Sequence, residues 1–152
     1  MNKMKILKIN TLANKIFLGV FVLLFLFAVD ASAKKVKFLQ STIAPASRGY
    51  VKIKKDKNQN NTIRIKLSNL AEVSRLTPPK LNYIVWMVTE DQLTKNIGKI
   101  ESSTGFLSKK LKASFETSTP FIPMKIFISA EDDASSQYPG EQVVLTTKVF
   151  KY

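Results

Sequence analysis

The chain contains no cysteine and no histidine. Without thiols it forms no disulfide in an oxidising compartment, offers no thiolate nucleophile and carries no lipidated cysteine to hold it to a membrane. Without imidazole it lacks the commonest general base and nearly every usual zinc site. A hydrolase of this composition would have to work with a Ser-Lys pair or with paired carboxylates. Acidic residues are scarce as well, 11 Asp+Glu against 24 Lys+Arg, giving a formal charge of +13. Past residue 34 no segment has a convincing 3.6-residue apolar period. A parallel sheet is thereby excluded, because its crossovers need a dozen or more residues, usually helical.

The apolar residues are unevenly spread. Lys3, Lys5, Lys8 and Lys15 precede an uninterrupted apolar stretch from Ile16 to Val29, and Ala31-Ser32-Ala33 follows it. A basic segment, an apolar core and a small-residue A-x-A site form the pattern of a secretory signal peptide. A spanning helix needs ~20 apolar residues, so the stretch is short for an anchor. Lys34, Lys35 and Lys37 come directly after the site, against the usual orientation bias of positive charge. The expected organisation is a signal peptide over 1–33, an N-terminal leader over 34–48 and a β-sandwich domain over 49–152. Lys3, Lys5, Lys8, Lys15 and Asp30 leave with the signal peptide, so 20 cations face 10 carboxylates in the rest. The expected destination is the periplasm or the exterior of a bacterial cell, with no stable membrane anchor after cleavage.

The remaining chain reads as short strands separated by turn chemistry. Tyr83-Ile84-Val85-Trp86-Met87-Val88 is apolar throughout and rich in β-branched and aromatic types, which predicts a central strand covered on both faces. Val51 and Ile53 alternate with Lys52 and Lys54, and Ile63, Ile65 and Leu67 alternate with Arg64, Lys66 and Ser68. Asp56 to Asn61 lies between them as a turn, since Asn and Asp tolerate positive φ and bond their own backbone. Pro78-Pro79 forbids ladder pairing and predicts a crossover between layers. Further strands are expected over Asn96–Ser102 and Phe106–Phe115, joined through Ser103-Thr104-Gly105, and over Met124–Ala130 and Gln142–Phe150. The fold class is therefore all-β, a small antiparallel immunoglobulin-like sandwich of about seven strands, with a small barrel as the alternative. Tyr83, Trp86, Ile126 and Ile128 are the expected core.

Tyr83-x-x-Trp86 after Pro78-Pro79, then Gly105-Phe106, Ile126 to Glu131, and Pro139-Gly140 with Val143-Val144-Leu145 form an ordered set of motifs. In that order they resemble the extracytoplasmic domain of RskA-type anti-sigma-K factors and of exported bacterial proteins with the same arrangement. The resemblance covers about Gly49 to Thr147. It implies the sandwich fold and a partner-binding or sensory module outside the cytoplasm, with no catalytic residues to transfer. A cleavable signal stands where those factors carry a sigma-binding segment and a membrane span, so sigma inhibition does not carry over.

Several clusters are candidates for chemistry. Glu131-Asp132-Asp133 is the densest acidic group and offers oxygen ligands of the kind calcium takes, beside the simpler reading of a solvated loop. Asp56-x-Asn58-x-Asn60 imitates the start of a calcium loop but lacks its glycine, and Leu67 stands where the bidentate glutamate belongs, so a turn is the better reading. Ser108-Lys109-Lys110 and Ser74-Arg75 lack the helical frame of a Ser-Lys site. Tyr83, Trp86, Phe115, Phe121 and Phe127 would make a carbohydrate platform only if exposed, and Trp86 sits within an apolar run where packing is the default.

The basic hairpin is the most informative surface feature. With Ile53 facing Ile65 and Val51 facing Leu67, Lys54 would oppose Arg64 and Lys52 would oppose Lys66, an arrangement of like charges that destabilises the pairing. Edge protection and solubility explain lysines of this kind, and an anionic binding face built from Lys52, Lys54, Arg64 and Lys66 explains them too. Nucleic acid is a poor partner, because interleaved aromatics are missing and the chain carries an export signal. The sequence thus points to an exported, non-catalytic interaction or sensory module that binds a protein or an anionic envelope component, with no cofactor. The alternative is a structural or adhesive subunit assembling by strand pairing along Gln142–Thr147. A carboxylate- or metal-dependent hydrolase stands third.

Overall fold

The computed structural model describes residues 33–103 and 112–152, the backbone alone over 101–103. The signal peptide, the turn at Thr104-Gly105 and Ser108-Lys109-Lys110 lie outside the described residues. Among these residues nine strands form two antiparallel sheets, and the helical content is a single 3-10 turn at Val73–Arg75.

The first sheet begins with β1 (Lys34–Lys37), β2 (Arg48–Lys55) and β3 (Asn61–Ser68). In β2 and β3 the apolar alternation puts Val51, Ile53, Ile63, Ile65 and Leu67 inward, all of them buried. Their register pairs Val51 with Ile65 and Ile53 with Ile63. This is two residues away from the expected pairing. The reason is the turn: the Asp56 carboxylate takes the amides of Asn58 and Asn60, at 2.8 and 2.9 Å, and Gln59 adopts φ 63°, closing the loop early. A shift of two preserves which face each side chain occupies and changes only its neighbours.

The remaining strands are β4 (Asn82–Thr89), β5 (Thr94–Lys99), β6 (Glu101–Ser103), β7 (Lys112–Thr119), β8 (Pro123–Glu131) and β9 (Val143–Thr146). The sheets run β1-β2-β3-β7-β6 and β5-β4-β8-β9. With β1 set aside, this is the immunoglobulin arrangement, in which hairpin-linked pairs alternate between two layers. Each change of layer has a visible cause. Between β3 and β4 stand Pro78 and Pro79; between β7 and β8 stands Pro120, and Pro123 opens β8. The stretch 96–102, expected as one strand, is divided at buried Ile100, whose amide bonds Tyr83 O at 2.9 Å while the chain passes from one sheet to the other. Just before that point Gly98 has φ 132°, and a Cβ there would lie 2.9 Å from the Phe115 ring of the facing sheet. Only glycine fits both conditions.

Residues 34–48, expected as a leader, belong to the sandwich. Lys34–Lys37 pairs with β2, Phe38 bridges Thr147 on the other sheet, and Leu39 N donates to Thr146 O at 2.8 Å.

β4 is central in its sheet and buried on both faces, and the two faces pack into different clusters. Tyr83, Val85 and Met87 point between the sheets with their partners Ala130, Ile128 and Ile126. Trp86 points the other way. Fully buried, it forms a second cluster with Ile84, Phe127 and Val88, its ring stacked on Phe127 at 6.2 Å. The expectation of one core holding both Tyr83 and Trp86 is therefore corrected: residues three apart on a strand lie on opposite faces. The segment after β8 closes over this outer cluster. Asn96, opposite Trp86 on β5, donates to the carbonyls of Ala134 and Ser136, and Gly140 N donates to Glu131 Oε1 at 2.7 Å. Trp86 Nε1 donates to Ser129 Oγ at 2.7 Å, and Ser129 Oγ donates to Glu131 Oε1, so the polar atoms inside the cluster are satisfied in series.

Two expectations follow. Native emission should be blue-shifted and poorly quenched, and Trp86→Ala should cost about 3–5 kcal/mol, a large part of a domain's stability; a red-shifted, freely quenched native spectrum would contradict the second cluster. Burial pushes the Tyr83 hydroxyl up to about 12, and the hydroxyl donates to Ala71 O at 3.0 Å. Between its ordinary value of 10.0 and about 12 the unfolded state has lost this proton and the folded state holds it. Stability from this group is complete below pH 10 and declines as pH rises through that window. Denaturant midpoints measured from pH 9 to 12 should fall for the wild type and fall less steeply for Tyr83→Phe.

Candidate anion-binding face

The outward side of the five-stranded sheet is strongly basic because polar positions in its first three strands are almost all lysine or arginine. Register aligns them in rows across the strands. Lys35, Lys52 and Arg64 stand side by side on β1, β2 and β3, and Lys37, Tyr50 and Lys66 form the next row. Arg48, Ser68 and Lys112 form a third row toward one end, and Lys54 opposes Thr62 toward the other. The four cations named from sequence share one face. Lys52 opposes Arg64 and Lys54 opposes Thr62, so the expected Lys54–Arg64 and Lys52–Lys66 pairs are not formed.

Sequence reading missed half of this face. Lys35 and Lys37 arrive with β1, which lacks a clear apolar alternation, and Lys112 arrives from β7 across the sheet. The cations extend from Arg48 to Lys54 on β2, about 20 Å, and from β1 to β7, about 14 Å. Arg64 is neutralised: Nε and Nη2 bond both oxygens of its cross-strand partner Glu116, at 2.9 and 2.6 Å. That bond holds the guanidinium above its ordinary pKa and the Glu116 carboxyl below its own. β6 places Glu101 opposite Ser114. The Glu116 carboxylate thus lies on β7, leaving the charged positions of β1 and β2 on this face wholly cationic.

Within the face lies a cleft of about 610 Å³ lined by Lys35, Lys37, Arg48, Tyr50, Lys66 and Lys112 together with Phe38, Gly49, Leu67 and Ser68. Its size is that of ordinary ligand sites. Tyr50 lines it and is partly buried, and the Lys35 ammonium rests 4.0 Å from the ring centroid. The Arg48 guanidinium is anchored by the carbonyls of Pro45 and Ser47, at 2.6 and 2.8 Å, which fixes its position without cancelling its charge. The expectation that aromatics are missing among these cations is corrected by Tyr50.

The other candidates separate. Glu131 is buried and takes the Ser129 hydroxyl and the Gly140 amide; Asp132 pairs with Lys80 at 2.6 Å; Asp133 takes the Ser135 amide and hydroxyl, which lowers its pKa. The three carboxylates are thus directed to three different partners. Among the described residues no group of three ligating side chains converges on a point. Asp56 caps its own turn, and its second oxygen lies 3.3 Å from Ser118 Oγ. Ser74 is exposed on the 3-10 turn, and Arg75 pairs with Glu72. The five aromatics named above form no platform: Tyr83, Trp86 and Phe127 are buried, Phe115 packs against the inter-sheet core, and Phe121 is partly exposed under Lys95. No helix among the described residues is long and apolar enough to cross a membrane.

No family model, no curated protein and no solved structure matches this chain, so the functional reading rests on its own geometry.

The Arg64–Glu116 pair changes what charge reversal does. Arg64→Glu places a carboxylate against Glu116 and should lower the denaturant midpoint, whereas Arg64→Glu with Glu116→Lys should restore it. Lys54→Glu, opposite a threonine, should leave the midpoint near the wild-type value or raise it slightly. Because the folded Glu116 carboxyl titrates lower than the unfolded one, the difference between wild type and Arg64→Glu should shrink as the pH falls through the carboxylate range.

Proposed function

We propose that this protein is an exported, non-catalytic interaction module whose basic sheet face binds an anionic component of the cell envelope. One observation carries the reading: β1, β2 and β3 gather Lys35, Lys37, Arg48 and Lys66 around a ligand-sized cleft with no carboxylate among the residues that line it, and Lys52 stands beside Lys35 in the adjoining row. Like charges held side by side cost stability, and solubility alone requires no such gathering. The alternative of assembly through β9 is less favoured, because Leu39 already donates to Thr146 O on the outer edge of that strand and Phe38 bridges Thr147.

Each lysine close to an anionic surface contributes about 1 kcal/mol, so Lys37→Gln, Lys52→Gln and Lys66→Gln together should weaken binding to an envelope fraction on the order of a hundredfold. Wild-type binding should decline with salt as the Debye length contracts below ~8 Å. Co-sedimentation of wild type and triple variant with the fraction, with denaturant midpoints recorded in parallel, is the measurement. Unchanged co-sedimentation with retained folding would assign these lysines to solubility and move the partner surface elsewhere.

A further inference from the structure

We infer that the ligand of this face is an acidic polysaccharide and that Tyr50 is its stacking residue. The inference rests on the basic face being a binding surface, and it adds the chemistry of what binds there.

The positive charge is spread rather than focused. It runs about 20 Å along the strands and about 14 Å across them, as row after row of ammonium groups on a regular ladder. In such a ladder the backbone amides lie in the plane of the sheet and are used by neighbouring strands, so they do not converge on one small anion as they do in a nest or at a helix terminus. A face of this kind suits a chain with repeating charges better than a single phosphate.

Tyr50 separates the possible polyanions. It lines the cleft and is partly buried, between Lys37 and Lys66 in its own row, both of which are exposed and carry longer side chains. A flat bilayer meets the lysine tips and does not enter the cleft; a single polymer strand does. A tyrosine ring flanked by ammonium groups offers a sugar ring its flat apolar face and offers the attached carboxylate or sulfate its charge. Single-stranded nucleic acid, whose bases stack on successive aromatics, would find one ring here. The ammonium of Lys35 lies over the Tyr50 ring, at 4.0 Å, on a face where a sugar would stack. It is held by an exposed cation–π contact, which is weak enough for a sugar to displace. Moving aside, Lys35 becomes a counter-ion at the rim.

The test uses four defined probes with the full-length protein: polygalacturonate, neutral dextran, phosphatidylglycerol vesicles and oligothymidylate. Polygalacturonate should bind in a salt-dependent way, more tightly per charge than the vesicles or the oligonucleotide, and dextran should not bind. Tyr50→Leu keeps an apolar side chain in the cleft and removes the ring; it should weaken polygalacturonate binding roughly five- to tenfold and leave vesicle binding unchanged, while Tyr50→Phe should bind as the wild type does. Lys37→Gln with Lys66→Gln should weaken every anionic probe. If the lysine variant weakens binding and Tyr50→Leu, folded by its denaturant midpoint, does not, the basic face stands and the polysaccharide inference is overturned. Tighter binding of vesicles or oligothymidylate at matched charge overturns it as well. If no anionic probe binds, the reading of the face as an anion-binding surface fails along with it.

Discussion

A strand that is apolar on both faces needs two separate coverings, and β4 imposes that requirement on everything around it. The facing sheet supplies one covering. The other has to come from the same sheet's own connections, and it does: the segment between β8 and β9 returns over Trp86 and is fastened at Asn96 and at Glu131. A buried tryptophan brings an N–H that must be paired. Ser129, directly across from Ile84 on β8, accepts it, and passes its own proton to Glu131, which in turn accepts Gly140 N–H. The glycine suits that spot, since a Cβ would stand 2.7 Å from Glu131 Oε2 and would push the carboxylate from its place. What reads in sequence as an acidic loop is thus anchored by its first carboxylate to the covering of a core.

This division of work leaves the two sheets with different outer surfaces. The β5-β4-β8-β9 sheet is covered on both sides over its centre, while the outward side of the other sheet carries cations around an open cleft. β1 matters for the second surface. It adds one more row-end to β2 and brings Lys35 and Lys37 beside Lys52 and Tyr50. As an edge strand it is short and lysine-rich, both of which discourage pairing with another chain.

The general form of the fold was legible because alternation is a strong signal where one face is dry and the other wet, as in β2 and β3. It was weaker wherever parity or tertiary contact decides. Tyr83 and Trp86 read as one apolar run, and the odd spacing between them was the signal that they face opposite sides. Strand 96–102 could not be divided from composition alone, because Ile100 crosses between sheets in response to contacts with Tyr83 and Phe115 lies across from Gly98. The basic hairpin was visible as alternating lysines, yet Tyr50 escaped notice. It stands next to Gly49 at the start of the strand, where a single aromatic among polar positions looks incidental until Lys37 and Lys66 are placed on either side of it.

The arrangement of opposite charges then limits where a ligand gains most. Glu116 engages Arg64 through both oxygens, so the row Lys35–Lys52–Arg64 ends in an ion pair at β7 and its free charge lies toward β1. Arg48 is held in place by two carbonyls, which keeps a fixed cation on the lining of the cleft. A long polyanion laid on this surface is attracted at each point by less than a few RT, so its affinity grows with the number of contacts and weakens steeply with salt. On the proposed reading, the partly buried Tyr50 ring is the contact there that salt does not screen. If the face binds as proposed, affinity comes mainly from charge, and discrimination among polyanions comes from what can reach the ring.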